Sequence, residues 1–345
     1  MKNKLRRTFV GELRKLNEKH TYIKFAIAIL VIGIFYMCII GFANGLLGAA
    51  GMGGGLPTET FESNKQAITA YETQINIIEN GDKATDGLSA LQRKTTLANL
   101  KSSLAKYQYL DANNLNASDF DDFGGASNFQ FNTSMSLMIQ VIGQIIILAC
   151  LVLAIRTYSG ELAAGTLKMQ LIRPIKRSTV LTGKSLSVFA VGCIALFAST
   201  ILISVAELAI CGAHANKLLF VLDHKFVGVI SPLGHILLQL LNQVTTLFVM
   251  IQFAHFICSL TRAKSTSGGI AIALIIFFFG STVEGFVPFL PAFGFFSNLD
   301  WLSSFSLSGM PFYSSTLWSS LLVTLMWCGG MVYTNYFLFS RRDMS

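Results

Sequence analysis

The chain alternates long uncharged runs with shorter polar segments, and that alternation is its strongest signal. Runs at 25–47, 135–155, 185–206 and 265–283 contain no Asp, Glu, Lys or Arg. A fifth uncharged stretch, 226–261, is broken near its start by Ser231-Pro232, which places its helix at 232–260, and a sixth run lies at 316–339. A helix rises about 1.5 Å per residue, so each run is long enough to cross a hydrocarbon core about 30 Å thick. A barrel would need short segments of alternating polarity, which are absent. The pattern predicts an all-α integral membrane protein with six transmembrane helices.

The segments between the runs carry patterns of their own. In 1–24, Leu5, Phe9, Leu13 and Leu16 recur at helical intervals among Lys2, Lys4, Arg6, Arg7, Arg14 and Lys15. That composition predicts a cytosolic interfacial helix with its basic face toward anionic headgroups. In the outside segment 57–134, Phe61, Ile68, Tyr71, Ile75 and Ile78 form one helical stripe, and Leu88, Leu91, Leu97, Leu100, Leu104 and Tyr107 form a second. Asn80-Gly81-Asp82-Lys83 turns the chain between them, giving a helical hairpin whose stripes pack on each other or on a second copy. The acidic stretch that follows reads as a solvated loop, because Asp111, Asp119, Asp121 and Asp122 miss the spacing of an EF-hand. Residues 207–231 read as a short outer loop. The segment 284–312 has no basic residue, is rich in Phe and is broken by Pro288, Pro291 and Pro311. It is too apolar for a free loop and too broken for a span, so two short re-entrant or interfacial pieces fit it. The alternative is that Trp301, Phe305 and Phe312 float at headgroup level.

Charge orients these elements. The net charge is +8, but it is unevenly spread. With the N-terminus inside, 18 of the 26 Lys and Arg residues face the cytoplasm with only four of the 18 acids. The positive-inside rule therefore puts both termini in the cytoplasm of a multi-pass cell-membrane protein, and membrane topology, not nucleic acid, accounts for the basic balance. The six cysteines fall in or near apolar runs without close pairing, as packing residues do, so neither disulfides nor a zinc site is expected. Eight basic residues precede the first run and no A-x-A-like site follows it, which predicts a retained anchor and not a cleaved leader.

Candidate chemistry is sparse. Gly183-Lys184-Ser185 is no Walker A motif, since Ser178 stands where glycine is needed and Lys184 opens a span. His235 and His255 lie near opposite ends of one helix and cannot share a metal ion. Polar side chains inside spans either bond to neighbouring helices or line a wet pathway. Gln140 and Gln144, one turn apart in the second span, and Asn242 and Gln243 in the fourth are the candidate pathway residues. The longest polar interruption on the positive side is 156–184. There Ser159 is placed to cap a helix, Glu161 to occupy its first turn, and Pro174 to stop it. Glu161, Gly165 and Lys168 then share one face, and a basic turn of Arg173, Pro174, Lys176 and Arg177 follows. An ordinary orienting loop is the plain alternative.

The order Glu161-x-x-x-Gly165-Thr166-Leu167-Lys168, then Arg173-Pro174-x-x-Arg177, then Gly183-Lys184, resembles the cytosolic loop of ABC-2 type ABC-transporter permeases. The resemblance implies a coupling helix that docks on a separate ATP-binding subunit, with Glu161, Gly165, Thr166, Leu167, Lys168, Arg173, Pro174 and Arg177 as its coupling residues. It also implies six spans, an interfacial helix bordering the ATPase, a re-entrant connection between spans five and six, and a second permease chain, identical or related. ATP and Mg²⁺ would sit on the ATPase, and this chain would bind no cofactor and catalyse nothing. The expected function is export of a hydrophobic or amphipathic cargo such as a drug, peptide or lipid-like molecule. A secondary transporter competes, but would place ionisable groups deep in its spans, whereas Glu207 and Glu284 lie at outer ends. A non-transporting ABC-2-like subunit, in antimicrobial-peptide resistance or envelope remodelling, is the third reading.

Overall fold

The computed structural model describes residues 2–18, 63–80, 90–116, 120–122, 131–163, 177–211, 217–222, 226–261, 269–270, 272–276, 293–305 and 316–341, and the structural statements below concern these. The span expected at 25–47, the loop 164–176 and most of 265–292 and 306–315 lie outside the described residues. The elements in order are α1 (Lys2–Glu18), α2 (Asn64–Asn80), α3 (Ala90–Ala112), β1 (Phe120–Asp122), α4 (Phe131–Ala163), α5 (Arg177–Cys211), β2 (Lys217–Leu222), β3 (Phe226–Ile230), α6 (Pro232–Thr261), a 3₁₀ turn (Trp301–Phe305) and α7 (Leu317–Arg341).

Four helices contain stretches long and apolar enough to cross a membrane: Met138–Glu161, Ser178–Val205, Pro232–Leu260 and Leu317–Phe339. Helix α6 starts where its sequence signal lies. Ser231 accepts from the Gly234 amide through Oγ (3.2 Å) and from the His235 amide through its carbonyl (3.0 Å), while Pro232 needs no acceptor for its nitrogen. The core is the join of α4, α5 and α6, where Ile146, Leu151 and Ile155 meet Val188, Leu196, Leu247 and Met250. Two glycines let these helices approach. A Cβ on Gly143 would stand 2.6 Å from the Gln243 side chain, and one on Gly192 would stand 2.6 Å from Leu247 and 3.0 Å from Cys150 Sγ. Helix α7 leaves much of its length open, with Trp318, Leu322, Leu325 and Met326 exposed. It is hooked to α6 by Asn335, whose Oδ1 accepts from Ser259 Oγ (3.0 Å) and whose Nδ2 donates to the Gln252 carbonyl (3.2 Å).

Away from the bundle, α2 and α3 run antiparallel. Tyr71 stacks on Tyr107 (5.6 Å between centroids) and Glu79 pairs with Lys101 (2.9 Å). The expectation of a purely helical protein needs correcting, because a three-stranded sheet in the order β1-β2-β3 packs against α3. β1 pairs parallel to β2 with Asp122 opposite Leu219, and β2 pairs antiparallel to β3 with Phe220 opposite Gly228. The segment expected to be a plain loop thus holds a hairpin, and the acidic stretch supplies a strand. The physical reason is alternation along β2. Leu219 and Val221 bury against Leu110 and Tyr107, while Leu218 and Phe220 turn the other way toward Trp301 and Phe305. Gly228 is required beneath the Phe220 ring, since a Cβ there would stand 2.7 Å from Phe220 Cζ.

Candidate functional site

The residues flanking the α4–α5 loop converge on a buried cluster of charges. Helix α4 does not end before the loop as the sequence suggested. Ser159 is no cap: it is fully buried within α4, and its hydroxyl donates to the Ile155 carbonyl (2.8 Å). Glu161 accordingly sits in the last turn of α4, not in the first turn of a separate helix. Nothing from Arg156 to Ala163 forces a break, Gly160 is tolerated, and burial of Tyr158 and Ser159 carries the helix on. On the other side of the loop, α5 begins at Arg177, so Lys184 lies two turns inside a helix instead of opening one.

Lys184 is 1% exposed, and an ammonium so buried must spend all three N–H donors on protein acceptors. Its Nζ donates to Glu161 Oε2 and to the Thr157 carbonyl (3.1 Å), both on α4, and faces Glu12 Oε2 of α1 at 3.9 Å. Lys15 completes the set, reaching Glu161 Oε1 at 3.0 Å and Glu12 Oε1 at 3.1 Å. Two carboxylates and two ammonium groups thus tie α1, α4 and α5 pairwise, and their formal charges cancel. Burial works against the charge on Lys15, but its hydrogen bonds and attraction to Glu161 and Glu12 outweigh that and hold its ammonium above the usual lysine range. Helix α1 docks through its Thr8, Glu12 and Lys15 side, where Thr8 lies on Gly183. Arg6, Arg7, Val10 and Arg14 remain exposed on the far side.

One residue further along α5, Ser185 Oγ donates to the Leu181 carbonyl (3.1 Å) and lies 3.0 Å from His255 Nδ1 of α6. The polar residues of α6 fall into two groups. His235, Gln239, Asn242, Gln243 and Thr246 share one side of its first half; Gln252, His255 and Ser259 lie roughly opposite in its second half, at about 100° per residue. The second group binds α5 and α7 through His255 and Ser259. In the first group, Asn242 Nδ2 donates to Asp300 Oδ1 (2.8 Å) and Thr246 Oγ1 to the Leu299 carbonyl (3.2 Å). Trp301 Nε1 donates to Thr245 Oγ1 (3.1 Å) and the ring is buried against protein. Burial pushes the Asp300 carboxyl up, against the pull of its hydrogen bonds from Asn242 and the Leu302 amide.

Of the candidate pathway residues, Asn242 and Gln243 are buried, whereas Gln140 and Gln144 are exposed. Gln243 lies on Gly143, in the α4 turn that carries both glutamines, while Asn242 is drawn away to Asp300. Of the coupling residues, Gly165, Thr166, Leu167, Lys168, Arg173 and Pro174 lie outside the described residues, and Arg177 opens α5. Glu161 is the one whose side chain can be placed, and it is bound inward. Sequence reasoning turned Lys15 toward lipid headgroups, kept Lys184 only as the end of the ABC-2-like motif and gave Glu12 no role, so it paired none of them with Glu161. A signal existed in Glu12, an acid set among the six basic residues of α1, and in the lysine bordering an apolar run. Among the described residues no group of three or more His, Cys, Asp or Glu side chains could hold a metal ion.

A family model described as an ABC-2 family transporter protein matches residues 22–344. No curated protein matches the chain.

Proposed function

Because this chain belongs to the ABC-2 family of transporter proteins, we propose that it is the membrane-spanning permease of an ATP-driven exporter. A multi-pass permease of this family works with an ABC ATPase, and the four apolar helices supply the membrane part. The observation that carries the proposal is the family match across 22–344, which takes in the α4–α5 loop and both helices that frame it.

In this reading the loop 164–176 faces the cytoplasm and enters a cleft on the ATPase, with Lys168, Arg173 and Arg177 offering charge to it. Gly165, Thr166, Leu167 and Pro174 belong to the same docking segment. Nucleotide binding there favours one arrangement of α4 and α5 over another, because the loop makes different contacts with the two ATPase states. ATP and Mg²⁺ reside on the partner, which supplies hydrolysis, and this chain supplies the route. Two permease chains, identical or related, enclose that route. The Phe-rich segment 284–312 favours a hydrophobic or amphipathic cargo.

The test is accumulation of a lipophilic fluorescent dye in inside-out vesicles that contain this chain and its ATPase. The proposal expects uptake that needs ATP and stops with vanadate. Uptake at the same rate without ATP, driven by an ion gradient alone, contradicts it.

A further inference from the structure

We infer that Glu161 acts as a positioning residue and not as a contact to the ATPase, and that Lys184 is the pivot through which displacement of the α4–α5 loop reaches helix α1. The inference rests on the permease reading above and assigns it a second moving part. Helix α1 spans residues 2–18 and so precedes the stretch 22–344 that the family model covers, whereas Glu161 and Lys184 fall within that stretch. The cluster therefore fastens an element outside the matched region to the two helices that carry the coupling loop.

Three observations lead to it. First, both carboxylate oxygens of Glu161 are taken, Oε2 by Lys184 and Oε1 by Lys15, so the side chain has turned toward its own chain. Second, each pair of elements has its own tie: Glu161 and Thr157 to Lys184 join α4 to α5, Lys15 to Glu161 joins α1 to α4, and Glu12 to Lys184 joins α1 to α5. Third, Thr8 sits on Gly183, the residue before Lys184, so close that a Cβ there would stand 2.9 Å from Thr8 Cγ2. Glu161 lies two residues before the end of α4 and Lys184 seven residues after the start of α5. A force on the intervening loop that changes the spacing of those ends must stretch or relax the same ion pairs that hold α1. The full set fits only one relative placement of the three helices, since a buried ammonium tolerates no partial loss of its acceptors.

The contact between Thr8 and Gly183 provides the reporter. A Cβ at 183 lies 3.4 Å from Thr8 Cβ, close to the separation of about 3.5–4.5 Å in disulfides, so Thr8→Cys with Gly183→Cys should cross-link under copper–phenanthroline. The full-length double variant, in membranes with its ATPase, is oxidised and the bond identified by mass spectrometry. Glu12→Gln and Lys184→Met are each expected to lower the cross-linking rate roughly tenfold or more, because each leaves a buried charge short of its partner. Lys184→Arg, which keeps the charge, is expected to leave it near the parent rate without nucleotide. Trapping the ATPase with ATP and vanadate should change the rate in the parent and leave it unchanged in the Lys184→Met variant. Equal rates in parent, Glu12→Gln and Lys184→Met overturn the inference, as does an equal response to vanadate trapping with and without Lys184. Failure of the ATPase to co-purify with the parent would instead contradict the permease reading, so the two failures are told apart.

Discussion

Lys184 shows how one side chain decides local architecture. With an ammonium 1% exposed and two of its three neighbours negative, its removal changes the electrostatics of three helices at once. Lys184→Met leaves Glu161 and Glu12 sharing Lys15 alone, and the expected loss is about 3 kcal/mol, the lower end for breaking a buried pair. Glu161→Gln combined with Lys184→Met should regain part of it, since Lys15 and Glu12 still neutralise each other across 3.1 Å within α1. Denaturation of the detergent-solubilised protein checks this; a double variant as unstable as the sum of the singles contradicts it. At this scale the sequence was readable in type and not in partner. Glu161 stood out, but which charge it meets depends on how α1 folds back across 146 residues of sequence between Lys15 and Glu161, and no local pattern carries that. Asn242 is similar: its position in an apolar run announced a buried amide, but the partner, Asp300, comes from a segment 58 residues away.

The elements were legible in proportion to their length. Helices α4 to α7 follow the uncharged runs, and α6 starts at the Ser231-Pro232 signal. Their ends were misread where polar residues continue a helix, at Ser159 to Ala163 and from Arg177 to Lys184, because burial of Tyr158, Ser159 and Lys184 overrides the polarity that suggested a loop. The hairpin of β2 and β3 was missed for the opposite reason. LLFVL and FVGVI are short apolar runs either side of Asp223-His224-Lys225, a strand signal overshadowed by the longer helical pattern around it. Close approach of helices is the element-scale feature most open to test. Gly192 faces Leu247 and Cys150 with no room for a Cβ, so Gly192→Leu forces α5 away from α4 and α6. Overpacking of this kind costs about 1–3 kcal/mol or more. Gly329 and Gly330 of α7 face open space, so Gly330→Leu should leave stability unchanged in the same melt. Equal effects at the two sites would contradict the packing described.

Among the described residues, the protein is a bundle of apolar helices with a four-charge cluster where α1, α4 and α5 meet and a small sheet packed on α3, Trp301 and Phe305. The membrane character follows from the uncharged runs, and membership of the ABC-2 family gives that bundle a task. A second permease chain and a cargo belong to the proposed reading, and neither leaves a local signature in one sequence. Its dependence on an ATPase is open to direct measurement. The full-length protein is purified in mild detergent from its own membranes, and the proteins bound to it are identified and quantified. The account predicts an ABC ATPase in amounts comparable to the permease, lost when Lys168→Glu and Arg173→Glu reverse the charge of the loop while the permease itself stays folded. Purified, folded protein that carries no ATPase, or that keeps it undiminished after both reversals, would contradict the account.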